Sequence, residues 1–256
     1  MTVLLVTGAA SGIGRAAAQL AGSRGSYVIV SDVNEDGLRS CADDIERDGG
    51  SVRAVVCDTT DSAAVSSMFE RLKEAGHTVS QVLVAAGIDA GGPAHELSLD
   101  TWRRVLDVNL TGAFLVSRQA VRSMLEAKVP GAIVICSSPA AFVAFASGDN
   151  SAYSASKGGV SALVRSLAID YAPNGIRVNA VVPGPTETPL MWAAVPPSQQ
   201  ERARQRVLRE VPLRRIADPA EPAAAALWLL SHEAAYVTGS HLVCDGGVLA
   251  KASISI

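Results

Sequence analysis

Val3–Gly14 reads VLLVTGAASGIG, a short run of valine and leucine that ends in threonine and then places glycines at 8, 12 and 14. The apolar run Val3–Val6 predicts a buried strand entering a tight turn. Arg15–Leu20 suits a helix, whose N-terminal N–H groups would point at whatever occupies the turn. A strand, a glycine turn and a helix in that order predict a dinucleotide diphosphate held by Gly8, Ser11, Gly12, Ile13 and Gly14.

The same alternation continues outward along the chain. A second strand, Tyr27–Val30, leads to Ser31, Asp32 and Val33, with Asp32 eighteen residues past Gly14. An acidic residue there can accept hydrogen bonds from both hydroxyls of an adenosine ribose and would repel a 2′-phosphate, which favours NAD over NADP. Asn34 is free to cap the helix Glu35–Arg47. Val52–Val56 predicts a third strand. Beyond it, Asp58 and Thr59 are candidates for the adenine, although Asp58 equally suits a turn because Thr59, Thr60 and Asp61 open another helix. Gln81–Val84 predicts a fourth strand, and the small residues Ala85, Ala86 and Gly87 would let the backbone pass close to a cofactor. Ile88–His95 reads as a mobile loop over the carboxyl edge of the sheet. Ser98 or Asp100 caps a long amphipathic helix through Trp102, Leu106, Leu110, Phe114 and Val121, with Asn109 beside its buried stripe.

Ala132–Cys136 predicts a fifth strand that delivers Ser137 and Ser138 to the carboxyl edge, where ligands bind in open parallel sheets. Ile176–Val182 and Val237–Val243 complete the strands, the first ending in Pro183, Gly184 and Pro185. Strands alternating with helices predict an α/β, doubly wound parallel sheet, with residues 1–256 forming one domain.

Between the fifth and sixth strands, Ser151–Gly159 reads SAYSASKGG and places Tyr153 four residues before Lys157. On a helix this spacing puts both side chains on one face. A neighbouring ammonium would lower a phenol pKa from its ordinary ~10, so that the tyrosine could exchange a proton with an alcohol near neutral pH.

Composition narrows the partners. The chain has 256 residues, of which 48% are hydrophobic and 18% charged, and a formal net charge of -3. That is enough apolar material for one large core, and there is no basic excess for nucleic acid or an anionic membrane. Cys41, Cys57, Cys136 and Cys244 lie far apart, which argues against a zinc site or a disulfide framework and fits a reducing cytoplasm. Met1–Val6 lacks a basic leader, so neither a signal peptide nor a membrane span is expected. Small molecules and other protein chains remain as partners.

Taken together, the glycines at 8, 12 and 14, Asp32, Asn109 in VNLTGAF, Ser138, Tyr153 with Lys157, Pro183-Gly184 and the late Asp245-Gly246-Gly247 resemble the short-chain dehydrogenase/reductase family over nearly the whole chain. The resemblance implies a Rossmann-like sheet of about seven strands, hydride transfer to or from a nicotinamide, no metal, and a homotetramer or homodimer. Carried over by position, Tyr153 would be the general acid/base and Ser138 would bind the substrate oxygen. Lys157 would hold the nicotinamide ribose and acidify Tyr153, and Asn109 would hold a water of a proton relay. Pro183, Gly184, Thr186 and Thr188 would border the nicotinamide, with Thr188 at its carboxamide. Ser11 stands where many NADP-using relatives carry a basic residue, in agreement with Asp32.

Two features depart from the family pattern. Val84-Ala85-Ala86-Gly87 replaces the usual Asn-Asn-Ala-Gly, and the interval from Ser138 to Tyr153 is two residues longer than usual, the shorter register falling on Ala140. A lid around 186–215 is expected. Phe142, Val143 and Phe145, with Met191 and Trp192, predict an apolar pocket for a cyclic or aromatic secondary alcohol or its ketone. Arg202, Arg204, Arg206 and Arg209 are expected on a solvated helix face. A 3-oxoacyl carrier-protein-type reductase and a catalytically silent cofactor-binding regulator are the alternatives. The intact Ser, Tyr, Lys and Asn set favours an enzyme.

Overall fold

Seven short apolar runs become seven parallel strands of one sheet in the computed structural model, which describes residues 2–145 and 148–251. They are β1 Val3–Thr7, β2 Tyr27–Asp32, β3 Ser51–Val56, β4 Gln81–Val84, β5 Gly131–Cys136, β6 Ile176–Pro183 and β7 His241–Cys244, in the order β3-β2-β1-β4-β5-β6-β7. The order reverses between β1 and β4, which opens a crevice beyond their carboxyl ends, at Thr7–Gly8 and Val84–Ala85.

The central strands β1, β4 and β5 are largely apolar because both faces of the sheet are covered there, whereas the edge strand β3 carries Ser51 and Arg53 and buries no residue fully. Leu5, Ile29, Val82, Ile133 and Val178 face one layer, built from α3 Ser62–Glu74, α5 Gly112–Ala127 and α6 Ser151–Tyr171. Their neighbours of opposite parity, Leu4, Val28, Leu83 and Val134, face α1 Gly12–Ser23, α2 Glu35–Arg47 and α9 Ala220–Leu230. Fully burying one such side chain contributes roughly 1.5–3 kcal/mol, so a register slip that exchanged the two faces would be costly.

Local signals set several helix starts. Asn34 caps α2 by accepting from the Gly37 N–H at 3.0 Å, and Asp61 caps α3 at Ala63 and Ala64. Ser98 rather than Asp100 caps α4 Leu99–Leu106. The expected long helix does not run through unbroken. Asp107–Thr111 forms a wider π turn between α4 and α5, and it carries Asn109. Such bulges frequently mark functional sites.

β7 is shorter than the expected Val237–Val243. The Asn179 side chain takes the Val237 carbonyl and the Ser240 N–H, and Gly239 turns at φ +72°, so the segment before His241 bends, keeping contact with the β6 backbone through the Gly239 N–H, the Ser240 carbonyl and the Thr238 hydroxyl. Helix α9 went unassigned in the sequence reading. Its end is held by Arg177, which donates to the carbonyls of Leu229, Leu230 and Ser231. Two short helices, α7 Pro189–Trp192 and α8 Pro197–Glu210, follow β6. Among the described residues no helix is long and apolar enough to cross a membrane.

Candidate active site

The glycine turn packs against the end of β4. Gly8 has φ +69°, and a Cβ there would lie 2.6 Å from the Ala86 nitrogen. A Cβ on Gly14 would strike the Gly8 carbonyl oxygen. Only glycine lets these segments close, and the result is a shallow cradle at the N-terminus of α1 that fits a diphosphate. The Thr188 methyl reaches this cradle from the far side of the crevice, 3.1 Å from where a Gly12 Cβ would be.

Asp32 stands at the end of β2 with its carboxylate fixed by two N–H groups, Ala10 to Oδ2 and Asn34 to Oδ1, both at 3.0 Å. It does not cap α2, because Asn34 does. Val33 beside it is exposed, and the nearby Arg15 is engaged with Asp44 and Ser40. Asp58 forms a local turn, its Oδ1 accepting from the Thr60 N–H and hydroxyl. Thr59 is buried against Gly112.

The Val84-Ala85-Ala86-Gly87 departure keeps the backbone path. The Ala85 N–H donates to the Thr7 carbonyl at 3.3 Å. The loop beyond it, expected to be mobile, is tethered at both ends. Asn109 accepts from the Ile88 N–H at 2.8 Å and donates to its carbonyl at 2.9 Å, and Gly92 donates to the Asp149 carbonyl at 2.8 Å. Asn109 also donates to Ser156 on α6, whose hydroxyl donates to the Tyr153 carbonyl. It is buried, with both amide hydrogens and its oxygen engaged, so its side chain clamps the loop to α6.

Ser138, Tyr153 and Lys157 come together at the carboxyl edge. Ser138 is buried in an extended conformation, accepts from the Ala140 N–H at 3.2 Å, and lies near enough to Tyr153 to favour its ionised form. The longer interval is taken up by a single helical turn, Pro139–Ala141, and the loop after it. Residues 146 and 147 of that loop lie outside the described residues.

The expected acidification of Tyr153 is reversed. Burial pushes its phenol up to about 12, the Ser138 contact opposes this, and the charges of Asp89 and Cys136 add to it. Lys157 does not offset the burial, although its ammonium lies over the Tyr153 ring. It donates to the Cys136 carbonyl at 2.8 Å and stands 5.5 Å from the Tyr153 ring centre. Its own pKa is lowered by burial. The arrangement as it stands holds a neutral phenol, ready to give a proton to an oxygen placed beside Ser138.

Above the crevice, Thr186 is buried and donates to the Gly184 carbonyl at 2.9 Å. Pro183 pairs with Cys244 on β7. Thr188 caps α7 through the Met191 N–H. Arg204 is not merely a solvated residue of α8. It forms an ion pair with Glu187 at 2.6 Å and stacks 5.0 Å over the Trp192 ring, while the Trp192 indole donates to Glu187. This triad fixes the segment that follows β6. Sequence reasoning missed it because the three residues belong to a turn and two helices. Phe142, expected in the pocket, packs edge to face on His241, and Val143 is exposed. Met191 and Trp192 are partly buried. Asp89, also overlooked, lies close enough for its charge to bear on both Lys157 and Tyr153.

A family model described as enoyl-(acyl carrier protein) reductase matches residues 8–249. Cis-4-hydroxycyclohexanecarboxylate dehydrogenase of Sinomonas cyclohexanicum is 41% identical over 97% of this chain and 96% of its own length. 3beta-hydroxysteroid dehydrogenase 1 of Eggerthella lenta is 36% identical over 96% of this chain and 92% of its own. Among solved structures, a variant of actinorhodin polyketide ketoreductase with NADPH superposes with a TM-score of 0.90 at 32% identity, covering 96% of this chain and 97% of that one.

Proposed function

The chain belongs to the short-chain dehydrogenase/reductase family, and on that footing we propose that it is an NAD-dependent enzyme interconverting a secondary alcohol and its ketone on a largely apolar ring. Nicotinamide-dependent redox at CH–OH groups is the chemistry of the relatives. The observation that carries the enzyme reading is the grouping of Ser138 and Tyr153 with the Lys157 ammonium 5.5 Å from the Tyr153 ring centre, on the sheet edge that also carries a glycine cradle fit for the diphosphate. A cofactor-binding regulator has no use for that cluster.

In this reading the nicotinamide, when bound, supplies or accepts the hydride at the carbinol carbon. Ser138 orients the substrate oxygen by hydrogen bonding. Tyr153 gives that oxygen a proton in the reductive direction and takes it back in the oxidative one. Lys157 holds positive charge below the phenol and stands near Gly87, where a ribose would pass. Thr186 and Thr188, with Pro183 and Gly184, close the nicotinamide end, and Met191 and Trp192 cover the substrate. Ring substrates accord with the two named relatives, both of which act on hydroxylated rings.

The preference for NAD is supported by Asp32, whose oxygens are fixed by Ala10 and Asn34 yet retain lone pairs for a ribose diol. A 2′-phosphate would meet like charge, with neutral Ser11 and Val33 nearby. Asp32→Ala is expected to lower NAD affinity at least about tenfold, the worth of hydrogen bonds to a charged group at roughly 1.5–3 kcal/mol. Discrimination against NADP should shrink with it. Titrating both cofactors into parent and variant while following ring-alcohol oxidation checks this, and equal use of both by the parent would refute it.

We also propose that the protein assembles as a homotetramer. Leu99, Phe114, Leu125 and Ile169 are exposed on α4, α5 and α6, and Trp228, Tyr236 and Val243 are exposed around α9 and β7. Two separate apolar groups suit two kinds of twofold contact. Sedimentation at micromolar concentration should give a tetramer, and a monomer there would rule the assembly out.

A further inference from the structure

Asp89 brings a carboxylate into the site that the reaction just described does not use. It lies two residues past Gly87, where a Cβ would sit 3.3 Å from Asn109 Oδ1 and 3.8 Å from Lys157 Nζ. The Asn109 clamp on both polar groups of Ile88 fixes the backbone entering Asp89, and the Gly92 bond to Asp149 fixes the backbone leaving it. Asp89 is thereby held over the same carboxyl edge as the cluster, and both Tyr153 and Lys157 feel its charge.

Among the described residues, nothing donates to its Oδ1, which is buried. Lys157, the cation whose charge it feels, donates to the Cys136 carbonyl instead. A buried acceptor left without a donor is costly, and more so when charged. Burial accordingly raises the Asp89 pKa. A ligand in the crevice that brings a hydrogen-bond donor would recover this cost. A ligand that brings only apolar surface would not, and an anionic one would be repelled.

Resting on the dehydrogenase reading above, we propose that Asp89 is the residue that recognises the substrate's second polar group. It accepts a hydrogen bond from an additional hydroxyl, so that ring diols and ring hydroxyketones are preferred to ring monoalcohols and simple ring ketones. Met191 and Trp192 then cover the ring, and Asp89 sets its orientation.

The test compares kcat/KM, with NAD, for cyclohexanol and for the cis and trans isomers of cyclohexane-1,2-diol and cyclohexane-1,3-diol, in the parent, Asp89→Asn and Asp89→Ala. The quantity read is the ratio of the best diol to the monoalcohol within each protein. The parent should favour a diol by about 10- to 100-fold, the value of a hydrogen bond to a charged acceptor. The ratio should fall towards one in the alanine variant and to an intermediate value in the asparagine variant, which keeps an acceptor without the charge. A parent ratio near one for every isomer, or an alanine variant that keeps the parent's ratio because it loses both substrates equally, would overturn the proposal. Oxidation of any of these alcohols by the parent reports on the dehydrogenase reading alone, whatever the ratio.

Discussion

Tyr153→Phe is expected to lower turnover by about 10²- to 10⁴-fold while NADH binding stays close to the parent's. The substitution keeps the ring, which sits partly buried on α6, and removes only the hydroxyl, whose ionised form Ser138 favours. In the proposed reading, ground-state binding of the dinucleotide rests on the glycine cradle and Asp32, which the change does not touch. The loss should therefore appear in the chemical step. Full activity of the phenylalanine variant on a substrate of the parent would remove the basis for the proposed chemistry.

The same pair of proteins tests the direction of the phenol's shift. With burial holding Tyr153 up to about 12, the cofactor-free protein should show no phenolate absorbance attributable to Tyr153 below about pH 10, the ordinary phenol value. Above that, the parent should gain absorbance that the variant lacks. A raised pKa keeps the proton on at neutral pH, which suits donation to a ketone, whereas alcohol oxidation needs the proton site empty and should rise with pH. A Tyr153-dependent phenolate signal well below pH 10 would mean that Lys157 acidifies the phenol after all.

Lys157→Ala is expected to lower kcat/KM at least about 10²-fold and also to weaken NADH binding about tenfold. Two losses combine. The charge below the phenol disappears, and the buried Cys136 carbonyl loses the donor now 2.8 Å away, a desolvation cost of roughly 1–3 kcal/mol. A binding titration separates the two variants: Tyr153→Phe should affect catalysis alone, Lys157→Ala both catalysis and binding. Unchanged NADH affinity in the lysine variant would place Lys157 outside the cofactor site.

The sheet was legible in the sequence because its signals are local. Val3–Val6 is apolar without interruption because a parallel strand is covered on both faces, and Gly8 and Gly14 are required wherever backbone meets backbone. Tyr153 and Lys157 share a helix face by spacing alone, and Asn34 caps α2 from its own turn. What the sequence left open, or misjudged, depends on groups that meet only after packing. Asn109 is buried because a π turn directs it at Ile88, twenty-one residues away in the chain. Arg204 looked like one charge among several until folding brought it onto Glu187 and Trp192. Asp89 lay in a stretch read as a mobile loop, and its unpaired oxygen exists only in the tertiary structure. The direction of the Tyr153 shift also follows from packing: spacing puts an ammonium within reach of the phenol, but how much water the fold removes decides whether charge or desolvation wins.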